Sequence, residues 1–508
     1  MAKNRRRAAG RTSRSPSGAF FGGPSTILSE VPGGGVPWAF IAFLLASASL
    51  FALGLFLVVL SGRKEVVFNT YLLSNWEKLD CGVGEVTVVG ARQPSGLLLR
   101  ELTWVAPAFG ISILLAYLVL AASYLLRRAS LSQWVSGFTG LLSLAGAVTL
   151  LFYQQIAACI ILFMFAVVCV VWQIIWFDSR HFSRVVVFAI SQIRLGTLVF
   201  LSLSACISTV LAYAGYLTIL YSLRRLWETT SPSCTKDRDV FASRYVSIIG
   251  LFSFMTYWIT HVVSSFAQTL GSLVLKNEIL SNVQRESGQS SMHRTQTRTT
   301  LRLTYNSVCL GAGLVAFSGL VKDLTMGLGQ NLLLSPKSSS HPSTGAFLLT
   351  LLVYIGPFYA ALDNKISEWT FSMIALDSTT YWSANKSGVA LMSGAGLDIL
   401  KDTGLFHMMT YFPVAIGMAN AISTYLLVTL VPGPIMETND TLLIEFLVAF
   451  AYFGGSQVAR AAFAPFKGAM CTIYVMMARE PAVFQEHYGA VWTRLEEFNP
   501  SVAEALLK

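Results

Sequence analysis

In the run TYWITHVVSSFAQTLGSLVLKNE (Thr256–Glu278), Trp258, His261, Ser265 and Gln268 are separated by three, four and three residues. At about 100° per residue they fall near 0°, 300°, 340° and 280°, on one face roughly 80° wide. An indole, an imidazole, a hydroxyl and an amide on one stripe can hold a small polar solute through hydrogen bonds, and the ring face can attract a cation. The same stripe can instead bond helix to helix, at about 0.6 kcal/mol per bond in a bilayer.

The helix that must carry this stripe is apolar enough to sit in a membrane, and so is most of the chain. Of 508 residues, 54% are hydrophobic and 12% charged, against roughly a quarter charged in soluble domains. The apolar residues gather in blocks of about 20 or more, enough to cross a hydrocarbon core of about 30 Å. A β-barrel would show short alternating segments instead. The fold class expected is an all-α polytopic membrane protein. Ten candidate spans lie at 37–60, 103–126, 131–153, 156–177, 195–222, 245–275, 304–332, 346–376, 405–431 and 441–466, the eighth interrupted by Asp363, Lys365 and Glu368. Together they form a transmembrane domain over 36–480.

Basic residues place the ends. Lys3, Arg5, Arg6, Arg7, Arg11 and Arg14 precede the first span, in a segment 1–35 rich in Arg, Ser, Gly and Pro that reads as a disordered cytoplasmic tail. With alternation from that start, the polar basic segment 276–302 and the C-terminal tail 481–508 are cytoplasmic. The segment 61–101 is the first outer loop. The loop 222–244 carries Arg224, Arg225, Lys236 and Arg238 among its basic residues and faces outward against the positive-inside rule. The formal charge of +10 is thus largely topological and gives no reason to expect nucleic acid as a partner.

Chemistry beyond the stripe is sparse. The sequence holds no P-loop, HExxH or GxSxG motif, and its six histidines have no metal-ligand spacing. No enzyme activity, catalytic residue, cofactor or metal is expected. Cys81 and Cys234 fall on the same outer face, where a disulfide and two free thiols are equally compatible. Asn439 begins a sequon in an outer loop and is a candidate glycosylation site. Lys322 and Asp323 are adjacent and so do not face each other on a helix. Glu445 and Arg460 lie far apart on the last span and suit the interface.

Four segments resemble the choline transporter-like family, including its fungal branch. WITHVVSSFAQ matches a sixth-span pattern of Trp, then Asn or Glu three residues on, then Gln seven further; His261 takes the Asn/Glu place. NSVCLGAGLVAFSGLVKDL (Asn306–Leu324) is similar to the run S-x-CFGSL-I, with Lys322 where an Arg is usual. FSMIALDSTTYWSA (Phe371–Ala384) is similar to Y-I-x-IA-YG-x-x-F-x-x-SA, with Asp377 and Ser378 in place of Tyr-Gly. TIYVMMAREP (Thr472–Pro481) resembles the end of D-T-I-F-L-C-F-A-E-D-P-E, with Cys471 in place of Asp. The matches run in order over about 256–481 and mark a divergent member.

The resemblance implies a multi-pass transporter with inside termini, in the plasma membrane, with an internal membrane as the alternative. It implies movement of choline or a related small organic amine by carrier or facilitated diffusion, with the bilayer and a small cationic substrate as partners. Trp258, His261, Ser265 and Gln268 are then the substrate-binding residues, with Trp258 as an aromatic wall for a quaternary ammonium. The alternative is a non-transporting membrane scaffold or organiser acting through 1–35 or 276–302.

Overall fold

The computed structural model describes residues 38–62, 109–121, 195–230, 235–286, 304–318, 369–394, 404–430 and 441–498, with isolated positions between and after them. Among these residues every regular element is helical. A first unit, Met1–Trp38, lies outside them apart from its last residue; the second, Ala39–Lys508, contains everything that follows. The helices are α1 (Trp38–Gly62), α2 (Phe109–Ala121), α3 (Leu195–Thr230), α4 (Thr235–Glu286), α5 (304–318), α6 (Thr370–Asp377), α7 (Tyr381–Gly394), α8 (Gly404–Leu430), α9 (Thr441–Arg479), α10 (Pro481–His487) and α11 (Gly489–Phe498).

Among the described residues, three stretches are long and apolar enough to cross a membrane: Trp38–Phe56, Leu195–Leu220 and Phe450–Arg479. They correspond to the first, fifth and tenth expected spans. The count of ten and the side on which the ends lie depend on residues outside the described set. Cys81, Cys234, Asn439, Lys322 and Asp323 also lie outside it, as do the segments 1–35 and 61–101 and residues 287–302.

Two boundaries differ from the sequence reading. The last span does not stop at 466: α9 continues to Arg479. Lys467 interrupts the apolar run in sequence, but the side chains after it, among them Met470, Ile473, Tyr474 and Met477, are buried. Nor does the polar segment begin as a loop, because α4 carries on through 276–286 to Glu286. The C-terminal segment then folds back as α10 and α11. Phe484, Val491, Trp492 and Leu495 join the core built on α6 and the end of α9, and Asn282 of α4 donates to the Tyr488 hydroxyl at 3.0 Å.

Helix α9 is the axis of the bundle. Its residues from Phe450 to Arg479 are almost all buried, as befits a helix that is apolar on every side. Helices α3, α4 and α8 pack around it. Ser202 of α3 donates to the Ala462 carbonyl at 2.7 Å. Helix α1 is also apolar on all sides, but it exposes Leu45, Phe51 and Leu55, as a helix does against lipid. Its opening N–H groups, which have no partner within the helix, are accepted by Asn306 Oδ1 of α5, at 3.0 Å from Ala39 and 3.2 Å from Phe40.

The contact that fixes α4 against α9 is made by two glycines. A Cβ on Gly468 would stand 2.0 Å from the Gln268 carbonyl oxygen, and one on Gly271 would stand 2.2 Å from the Pro465 carbonyl oxygen. Backbone meets backbone at both points, so no side chain can move aside to make room. Ser272 seals the crossing. Its hydroxyl lies 3.0 Å from the Gly468 carbonyl and 2.9 Å from the Ser372 hydroxyl of α6, which joins three helices at one buried point. Gly468→Leu is therefore expected to cost at least about 2 kcal/mol. Gly215→Ala, where a Cβ meets nothing within 4 Å, should leave the melting temperature unchanged or slightly raised. Thermal unfolding of the two variants in detergent checks this.

Candidate functional site

Just before the glycine crossing, α4 and α9 separate enough to leave a cavity of about 50 Å³. Helix α4 lines it with His261, Ser264, Ser265 and Gln268, and α9 with Arg460, Phe463, Ala464 and Lys467. Each set is spaced 0, 3, 4 and 7, the residues that share one face over two turns. Val315 of α5 and Phe371 of α6 complete the walls. No aspartate or glutamate lines the cavity among the described residues.

The polar residues of α4 divide into two kinds. Thr256, Thr260 and Thr269 turn their hydroxyls back onto carbonyls of their own helix, at 2.9, 2.9 and 2.8 Å, which satisfies them locally. The residues of the stripe do something different. His261 is buried, and its Nε2 lies 3.1 Å from Arg460 Nη1. A guanidinium can only donate. Nε2 therefore accepts, and the neutral ring carries its proton on Nδ1. The Tyr257 ring covers the imidazole at a centroid distance of 4.5 Å. Ser264 is 6% exposed and its hydroxyl has no hydrogen-bond partner.

The structure thus brings His261, Ser265 and Gln268 to one cavity and leaves Trp258 out of its lining. The indole sits one turn earlier, edge-on to Phe43 at 5.6 Å and beside Phe254 at 6.3 Å. It packs over Gly313, where a Cβ would be 3.1 Å from Nε1. That nitrogen is buried without a hydrogen-bond partner. Three residues absent from the sequence stripe join the site: Ser264, Arg460 and Lys467. The available signal was the seven-residue spacing of two cations inside one long apolar helix. Arg460 is partly buried and lies within the apolar stretch Phe450–Arg479.

A second charged cluster closes the far end of the α4–α6–α9 contact and explains the divergent pair Asp377-Ser378. Asp377 ends α6 and takes a two-pronged bond from Arg479, Nη1 to Oδ1 at 2.5 Å and Nη2 to Oδ2 at 2.8 Å. Both side chains are about one-fifth exposed. Ser378 follows in the left-handed region at φ 54°, and its N–H donates to the Ile374 carbonyl at 2.9 Å. This left-handed cap most often uses glycine. Lys276 Nζ lies 2.5 Å from the Leu376 carbonyl, so a cation caps the negative end of α6. The remaining divergent position, Cys471, is a fully buried cysteine outside any disulfide, in the main core.

Removing one partner of the Asp377–Arg479 pair strands the other. Asp377→Asn and Arg479→Gln should each cost about 1–3 kcal/mol. The double variant should cost at least about 0.5 kcal/mol less than their sum; chemical or thermal unfolding of the four proteins checks this. Lys276 lies beyond the expected span 245–275. Burial pushes its ammonium down to about 8; Asp377 acts upward and Arg479 downward, both by less. Between about 8 and the ordinary 10.5 the unfolded chain holds a proton that the folded one has released, so this group makes stability rise with pH across that window. Lys276→Met should lack that rise when melting temperature is followed from pH 7.5 to 10.5.

Comparison with known proteins agrees with this architecture. Protein pns1 of Aspergillus fumigatus is 22% identical over 391 residues, 73% of this chain and 70% of that protein. Protein PNS1 of Neurospora crassa is 20% identical over 280 residues, 55% of this chain and 49% of that protein. Protein PNS1 of Debaryomyces hansenii is 22% identical over 247 residues, 48% of this chain and 46% of that protein. The matched regions thus span about half the length of the latter two. The family described as plasma-membrane choline transporter matches residues 111–482, which take in α2 to α9 and the whole of the cavity. The chain is an integral membrane protein belonging to the plasma-membrane choline transporter family.

Proposed function

We propose that this protein moves a small polar organic solute, choline or a related amine, across a membrane by carrier or facilitated diffusion. The observation that carries the reading is the polar cavity between α4 and α9, lined by His261, Ser264, Ser265, Gln268, Arg460 and Lys467. Polar and ionisable groups inside an apolar bundle cost free energy and face a solute or ion path when they are kept. Family membership supports the same reading, and the family description names the plasma membrane.

The cavity's neighbours suit a path that opens and closes. On one side the glycine crossing holds α4 and α9 at backbone contact. Proline 465 sits beside that crossing, within α9. It has no N–H to give the Ala461 carbonyl, which weakens the helix ladder at the level of the cavity. A helix can bend at such a point without losing a hydrogen bond it never had.

In liposomes, the purified protein should take up at least one labelled amine, among choline, ethanolamine and glycine betaine, with saturation. Gln268→Leu should lower that uptake at least about tenfold, the factor that corresponds to 1.4 kcal/mol. Absence of saturable uptake of all three by folded, correctly inserted protein would overturn the transport reading.

A further inference from the structure

The cavity carries the wrong charge for a free cation. Arg460 and Lys467 both line it, and among the described residues no carboxylate does. His261 brings no counter-charge, because the bond from Arg460 fixes its ring in the neutral form. A guanidinium has five N–H donors. Among the described residues its one hydrogen bond goes to His261, which leaves most of the fork unspent. Ser264, also in the lining, adds a buried hydroxyl with no hydrogen-bond partner. Together these groups present a planar fork, an ammonium and a free hydroxyl around a volume of about 50 Å³.

We infer that this cavity binds the anionic group, a carboxylate or its equivalent, of a small solute, and that the preferred amine is one that carries such a group rather than choline. Guanidinium forks match the two oxygens of a carboxylate. Arg460 is partly buried and spends one hydrogen bond on a neutral ring, so an arriving carboxylate meets a guanidinium fork that choline cannot fill. The quaternary ammonium of such a zwitterion has Phe371 and Phe463 in the same walls for its ring-face contacts. The solute's identity as an amine rests on the transport reading above; the anion site itself does not.

Choline and glycine betaine share a trimethylammonium group and differ in bearing a hydroxyl or a carboxylate. Their binding to the purified full-length protein, measured by calorimetry at fixed chloride, isolates the anionic group. Betaine should bind at least about tenfold tighter than choline, acetate should compete with it, and Arg460→Gln should bring the two within about threefold. Choline binding as tightly as betaine, a preference that survives in folded Arg460→Gln, or binding of neither would overturn the inference. Should Arg460→Gln not fold, Ser264→Ala replaces it: betaine should weaken at least threefold more than choline does, and equal effects on both would overturn the inference. Liposome uptake separates the two readings. Betaine binding without uptake of any amine overturns transport and leaves the anion site. Choline uptake without a betaine preference overturns the anion site and leaves transport.

Discussion

Among the described glycines, the tightest backbone-to-backbone packing is where Gly468 meets the Gln268 carbonyl and Gly271 meets that of Pro465. Everything described at the site is set by it. Because no side chain intervenes there, α4 and α9 meet at a fixed distance, and their neighbouring turns diverge from a known point. The cavity opens where the two 0, 3, 4, 7 faces first carry side chains of some size. Ser272 ties the same point to Ser372, so α6 is positioned too, and with it Phe371 in the cavity wall and Asp377 one helix-length away. Small residues take such places in membrane bundles because lipid offers apolar helices no hydrophobic reason to associate. Close packing has to supply the attraction that water supplies elsewhere.

The two charged clusters handle the cost of burial in opposite ways. At the end of α6, Arg479 meets Asp377 fork to carboxylate, and the pair closes on itself. Such a pair fixes geometry, holding the end of α9 to the end of α6, whatever its net contribution to stability. In the cavity, Arg460 meets an imidazole instead. That partner accepts one hydrogen bond and returns no charge. The first arrangement is complete within the protein. The second is left with charge to spare, and this asymmetry between two arginines nineteen residues apart on one helix separates the structural cluster from the candidate solute site.

Much of this was legible in the sequence, within physical limits. Length and hydropathy give both ends of α1 and α8 and the start of α3 to within a few residues, because an apolar run bounded by polar loops has one reading in a membrane; the end of α3 lies eight residues beyond the apolar run. The α4 stripe is also real: His261, Ser265 and Gln268 share a cavity. Trp258 already stands at one edge of the roughly 80° stripe, and the residues that line the cavity are centred about 30° further round. Trp258 therefore falls off one edge, and Ser264 joins at the other. Arg460 and Lys467 could be seen as a seven-residue pair, but which helix they face is a tertiary fact that no spacing encodes. The same holds for Arg479 and Asp377, which are 102 residues apart. Lys467 misleads in the opposite direction. Taken by composition it ends a span, and in the bundle it is a wall of the cavity.

The cap on α1 has a consequence for how the chain is made. Ala39 donates to Asn306, 267 residues later in the sequence. At roughly 5–20 residues per second, the ribosome delivers α1 on the order of 13–53 s before the side chain that completes it. Through that interval the first N–H groups of α1 need water, so the start of the helix has to wait at the membrane surface, where water is available. The first span can enter the bilayer early, but it docks late, after α5 has been synthesised. Assembly of this bundle therefore closes from its C-terminal half back onto its beginning.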